Sequence, residues 1–218
     1  MADSLRKTAK AHIVYKTSDG KRVPGATTIT GLLSKPYLVT WANRLGLEGI
    51  DSTKYRDEAA EVGTIAHKLI EGYFTGEKPD AQMYSPGNMD LAENAVLSFY
   101  EWAGGHKVRA VKNEWALVSD KMRFGGTLDC LCELDGEMEL LDFKTGKAIY
   151  DEHFVQLAAY RKLAEEHGFP VKRCRILRVG RDETEGFEER VVTDTEKYFR
   201  VFQNLLEIYY LKKELRWN

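Results

Sequence analysis

Only 3 cysteines occur in the 218 residues, and Cys130, Cys132 and Cys174 contain no CxxC pair. An odd count without that spacing supports neither a disulfide framework nor a cysteine-built zinc or iron–sulfur cage. Cys130 and Cys132 fall two apart in an apolar, strand-like run, so they read as buried, reduced thiols sharing one face. Prolines number just 5 while aromatics reach 11%, which argues against a disordered chain. A surplus of one charge is also missing, since 32 basic and 34 acidic side chains leave −2. Bulk charge therefore announces no nucleic-acid partner; any positive potential must be local, partly masked in the count by acidic groups that attract metal. No segment approaches membrane-spanning length, and MADSLRKTAKAHIVYKTSDGKR lacks the apolar core of a signal peptide. These absences lead us to expect a cytoplasmic protein with no membrane partner.

What is present is the make-up of a folded domain: 43% hydrophobic and 30% charged residues. HIVYKTSDGKRVPGATTIT alternates around Asp19-Gly20 and predicts a hairpin or extended arm. GLLSKPYLVTW predicts a short helix broken at Pro36 and a second one after it. In STKYRDEAAEVGTIAHKLIEGYFTGEKPD, helical spacing runs from a cap at Ser52 or Thr53 to Gly76 and Pro79. MDLAENAVLSFYEWAGG predicts another helix. The texture then turns β-rich, with VRAVKNEWALVS, RFGGTLDCLCEL and EMELLDFKTG as strands and Asp135-Gly136 as a tight turn. DEHFVQLAAYRKLAEEHG predicts a helix, VKRCRILRVG a strand, GFEERVVT a partner for it, and TDTEKYFRVFQNLLEIYYLKKELRWN a terminal helix. The expected fold class is α/β (α+β), one compact domain with an N-terminal arm and helical lobe over residues 1–105 and a core over 106–218.

One stretch carries chemistry. Asp142 and Lys144 follow Asp129 by thirteen and fifteen residues. Side chains alternate along a strand, so Asp142 and Lys144 project together while Leu141 and Phe143 face the core. The turn at Asp135-Gly136 folds the preceding strand back, which can bring Asp129 near Asp142. Two carboxylates and an ammonium meeting at a sheet end suit phosphodiester hydrolysis. Hard oxygen ligands bind Mg²⁺ or Mn²⁺, which neutralises the phosphate. Asp129, Asp142 and the Phe143 carbonyl would hold the ion, and Lys144 would orient or help deprotonate the attacking water. A lone D-x-K, however, more often decorates an exposed strand.

The neighbours change that balance. Gly63-Thr64-Ile65-Ala66-His67, Glu114, Gly126-Thr127-Leu128-Asp129, Asp142-Phe143-Lys144-Thr145-Gly146 and Gln156-Leu157-Ala158-Ala159-Tyr160 occur in that order. In this the chain resembles the PD-(D/E)XK nuclease superfamily. The likeness is greatest to the branch with the RecBCD nuclease domain, the mitochondrial genome maintenance exonuclease and many phage exonucleases. The resemblance implies a restriction-endonuclease-like central mixed sheet flanked by helices, and a Mg²⁺- or Mn²⁺-dependent deoxyribonuclease with one or two ions. It implies cleavage from free DNA ends in repair, recombination or replication, alongside recombination or replication proteins. The four iron–sulfur cysteines of some relatives are missing, so no cluster is implied.

By the same resemblance, His67 completes the metal shell, one helical turn from Gly63. Glu114 either binds metal through water or is an exposed strand carboxylate. Gln156 positions the reacting groups, and Tyr160 on the same helix face either contacts phosphate or belongs to the core. Thr145 fits a strand end where phosphate approaches. Lys35, Tyr37 and Trp41 can guide or stack a single strand, although Trp41 reads somewhat better as a lobe anchor, and Arg161 can touch phosphate. Two other functions compete: a non-cleaving nucleic-acid-binding module on a nuclease scaffold, and a restriction-type endonuclease sharing the D…D-x-K core. His12, His106, His153 and His167 receive no role.

Overall fold

The chain is described by a computed structural model over residues 13–182 and 184–217; His12 lies outside them. Around Asp19-Gly20 it turns as predicted, with Gly20 at φ 79° and an antiparallel bridge between Lys16 and Arg22. The end of that stretch departs from expectation. Ala26–Thr30 is a single helical turn, α1, whose Ala26 and Ile29 are buried. Burial against the core overrides the strand preference of the Thr-Thr-Ile-Thr run. Gly31 to Lys35 is turn rather than helix, and Pro36 stands at the N-cap of α2 (Tyr37–Leu47).

Helix α3 spans Ser52–Thr75, and its cap is Asp51 rather than Ser52 or Thr53. The Asp51 carboxylate accepts from the Thr53 and Lys54 amides at 2.8 and 3.2 Å. An ionised oxygen serves the positive helix end better than a hydroxyl does. Gly76 closes the helix at φ 80°. α4 (Pro86–Gly104) starts with Pro86 in its first turn behind a Ser85 cap, where a missing amide costs nothing.

The predicted strands form one mixed sheet: β1 (Val108–Ser119), β2 (Phe124–Leu134), β3 (Glu137–Lys144), β4 (Arg173–Val179) and β5 (Phe187–Val192), in that spatial order. Asp135 and Gly136 both take positive φ, 51° and 88°, the two-residue turn that suits the twist of a β2–β3 hairpin. Neighbours are antiparallel except β3 and β4. That parallel pair needs a crossover, which α5 (Asp151–Glu166) supplies.

Helices cover both faces. α1, α5 and α6 (Glu196–Glu214) pack on Leu128, Leu131, Leu140 and Ile176. α3 and α4 pack on Cys130, Cys132, Leu141 and Phe143. All three thiols are buried, Cys174 on the face opposite the other two. At the sheet's margin, β5 is rich in charge: Glu188 pairs with Arg178 and Arg190, and Glu189 with Arg175. The Trp102 indole also donates to Glu189, at 2.9 Å.

Candidate active site

Strand alternation sets the first pair. On β3, Leu141 and Phe143 enter the α3–α4 core, so Asp142 and Lys144 share the opposite side. The Lys144 ammonium lies 2.5 Å from Asp142 Oδ2 as an ion pair, while Asp142 Oδ1 is buried without a hydrogen-bond partner. Asp142 is only 1% exposed. Burial pushes its carboxyl up to about 6, with Lys144 opposing the shift and Asp129 adding to it. For Lys144, burial works against the charge, but Asp142 and Asp129 outweigh it and the ammonium is held above its usual range.

The hairpin joins the second carboxylate to this strand. Asp129 Oδ2 accepts from the Phe143 amide at 2.8 Å. Opposite Asp129 stands Glu114, at a φ of 42°. The β1–β2 pairing runs through Asn113–Cys130 and Trp115–Leu128 and skips the pair between them. A left-handed conformation at a glutamate costs of order 1–3 kcal/mol and persists only where packing enforces it. Here it turns Glu114 toward Asp129 and His67. Ligand atoms of His67, Glu114 and Asp129 all lie within 4.8 Å of one another.

α3 supplies His67 from the other side. Its Nε2 is 3.0 Å from the Phe143 carbonyl; a carbonyl only accepts, so Nε2 carries the proton. Nδ1 then faces Asp129 Oδ1 at 3.6 Å and Glu114 Oε1 at 3.8 Å, buried and without a hydrogen-bond partner. Burial alone would lower this imidazole, but Asp129 and Glu114 prevail and raise it. A lone pair and two carboxylates directed at one point attract a cation. Gly63 lets α3 come this close, since a Cβ there would lie 2.9 Å from Thr145 Oγ1.

α5 closes the base. Gln156 Nε2 donates to the Tyr160 hydroxyl at 2.7 Å. The Tyr160 ring is buried beside Gly126, where a Cβ would meet it at 2.5 Å. Burial, then Asp142 and Asp129, hold its phenol well above the usual range. At the start of the same helix, His153 Nδ1 accepts from the Tyr150 amide at 3.2 Å. Burial and then Lys144 push His153 down to about 4 from an ordinary 6.5. Between those pH values the unfolded chain binds a proton that the folded one refuses, so stability falls as pH drops through the window. His153→Gln keeps a cap acceptor and should flatten that slope. Thermal midpoints at pH 7 and pH 5 check this; equal losses in variant and parent would refute it.

His67, Glu114, Asp129, Lys144, Gln156 and Tyr160 thus line one cleft of about 1250 Å³. Asp142 sits just beneath it. Lys35, Tyr37, Trp41 and Arg161 are placed elsewhere. Lys35 pairs with Glu152 at 2.9 Å, and Tyr37 stacks on Tyr150 with centroids 5.4 Å apart. Trp41 meets Tyr55 edge-on at 6.0 Å. Arg161 donates to Glu165 at 2.8 Å and to the Thr193 carbonyl at 2.6 Å. Sequence reasoning missed Tyr15, whose hydroxyl lies 2.8 Å from Thr127 Oγ1 inside the cleft. The adjacent glycines Gly125 and Gly126 were the available signal, because each accommodates a ring, Tyr15 and Tyr160 respectively.

The model of the PD-(D/E)XK nuclease superfamily matches residues 40–215. Among curated proteins, none matches the sequence. Among solved structures, the alkaline exonuclease LHK-Exo of Laribacter hongkongensis is 15% identical, with a TM-score of 0.36 over 72% of this chain and 90% of its own. A Eubacterium rectale protein provisionally named an exonuclease is 12% identical, with a TM-score of 0.45 over 71% of this chain and 65% of its own.

Proposed function

This chain belongs to the PD-(D/E)XK nuclease superfamily, and from that premise we propose that it is a divalent-metal-dependent deoxyribonuclease acting at free DNA ends. One observation carries the reading. His67 Nδ1 and Asp142 Oδ1 are buried without hydrogen-bond partners, and Asp129 and Glu114 stand beside the imidazole. Buried polar atoms in folded proteins normally have partners, so orphans gathered at one place call for an ion. The donor set is mainly hard oxygen with one imidazole, which fits Mg²⁺ and, more tolerantly, Mn²⁺.

Asp129, Asp142, His67, Glu114 and the Phe143 carbonyl would hold one or two ions. A bound ion supplies charge neutralisation at the phosphate and a more acidic water. The protein's own groups do the rest. Lys144, kept charged by its carboxylates, holds positive charge against the developing phosphorane and orients the attacking water. Gln156, anchored on the Tyr160 hydroxyl, lines the same cleft and positions the reacting groups. Thr145 stands at the strand end where the phosphate approaches. Outside the cleft, the exposed Tyr37 ring, already stacked on Tyr150, offers a face to an unpaired base. Work at DNA ends fits a cytoplasmic role in repair, recombination or replication.

End-labelled linear DNA should be degraded with Mg²⁺ or Mn²⁺ and persist with chelator, while covalently closed circles survive. Apart from activity, Mn²⁺ at about 100 times its Kd should stabilise the fold by about 2.7 kcal/mol. For a chain of this size that raises the thermal midpoint by about 5–10 °C. Asp129→Asn should erase the rise. Folded protein that leaves linear DNA intact in both metals, with no shift in midpoint, would overturn the reading.

A further inference from the structure

Beyond the metal cluster, the cleft contains a hydroxyl pair with no assigned task. Tyr15 and Thr127 are both half-buried, and their oxygens lie 2.8 Å apart. Within the pair only one hydroxyl hydrogen is used, so the other can donate into the cleft. The phenol stays protonated at neutral pH: burial raises it, as does Glu114, against the opposing hydrogen bond from Thr127.

The pair is rigidly built. A Cβ on Gly125 would lie 2.4 Å from the Tyr15 ring, so the ring lies directly on bare backbone. The Gly125 amide donates to the Pro24 carbonyl at 2.9 Å, and Gly25 bridges Gly125. Ser18 is tied to Asp120 at 2.8 Å. The Gly25–Gly125 bridge and the Ser18–Asp120 bond fix the arm as a wall of the cleft.

Thr127 precedes Asp129 by two residues and both line the cleft, so their side chains stand about 7 Å apart along β2. An extended single strand advances by a comparable step from one phosphate to the next. Phosphate oxygens accept and never donate, which matches a site presenting a free hydroxyl hydrogen. The arm's Arg22 lines the same cleft, a cation supplied by the segment that carries Tyr15. Resting on the nuclease reading above, we propose that Tyr15 and Thr127 bind the phosphate adjacent to the scissile one, making the N-terminal arm part of the substrate site.

The test uses the full chain, Mg²⁺ and a short single-stranded DNA in which single phosphates are replaced in turn by uncharged methylphosphonates. Tyr15→Phe keeps the ring and removes the hydroxyl, and Thr127→Val keeps the shape of its partner. Each should lower kcat/KM about tenfold on ordinary DNA, in keeping with one hydrogen bond to a charged group. One methylphosphonate position next to the cut should cost the parent a similar factor, and there Tyr15→Phe should add nothing further. A merely structural strut would instead lose the same factor on every DNA. That pattern, or Tyr15→Phe cutting as fast as an active parent, overturns the phosphate site alone. A folded parent that cuts no DNA overturns the nuclease reading and this site with it.

Discussion

Lys144→Ala lowers cleavage of linear DNA by about 10³-fold or more at saturating metal, while the folded state persists. The kinetic loss follows from position. Lys144 is the cation that meets Asp142 at 2.5 Å on the cleft side of β3, and in the proposed mechanism its charge is opposed to the phosphate only as that group gains charge. The fold survives because Asp142 need not remain ionised. Its carboxyl already sits at about 6 through burial, and removing the ammonium lets it take up a proton. Initial rates on end-labelled DNA, paired with thermal midpoints, separate the two effects. Activity within tenfold of the parent would remove Lys144 from the chemistry, and Lys144→Arg should recover little, since a planar fork does not reproduce a point charge.

Gly126→Ala brings the second large effect, on stability. The new Cβ would lie 2.5 Å from Tyr160 Cε1 and 3.2 Å from Leu163 Cδ1, inside a core where Leu163 is fully buried and Tyr160 only 4% exposed. Overpacking of this kind costs about 1–3 kcal/mol, which lowers the midpoint of a chain this long by about 2–12 °C. The displaced ring also pulls away from Gln156, so activity drops beyond the change in folded fraction. Tyr160→Leu removes the clashing ring, and in that background Gly126→Ala should cost distinctly less than alone. Equal penalties in both backgrounds would show that the ring does not set the glycine.

Much of this was legible along the chain because it is local. Period-two alternation placed Asp142 and Lys144 together against Leu141 and Phe143, and the Asp135-Gly136 turn folded β2 onto β3. The helices followed from their spacing and stops. What escaped was set by distant contacts. Ala26–Thr30 became helical because Ala26 and Ile29 are buried in the main core, which no local preference reveals. Asp51 capped α3 in place of two hydroxyl neighbours, a matter of charge at the helix end. Glu114 read as a ligand through water or, nearly as well, as a surface carboxylate, because the positive φ at that residue has no signal in the local sequence. The Lys35–Glu152 and Arg161–Thr193 contacts join residues far apart in sequence, so a solvated basic side chain could not be distinguished from one engaged within the protein.

The charged margin of the sheet bears on behaviour in concentrated solution. Among the described residues β5 pairs only with β4, so within them the backbone groups on its outer side meet no further strand. Glu188, Glu189 and Arg190 follow one another on β5, so their side chains flank that edge on both faces of the sheet, 29%, 32% and 62% exposed. An incoming chain that tried to extend the sheet would have to dehydrate all three, a penalty that discourages edge-to-edge aggregation. Replacing these residues to ease crystallisation or tagging would open that edge to self-association.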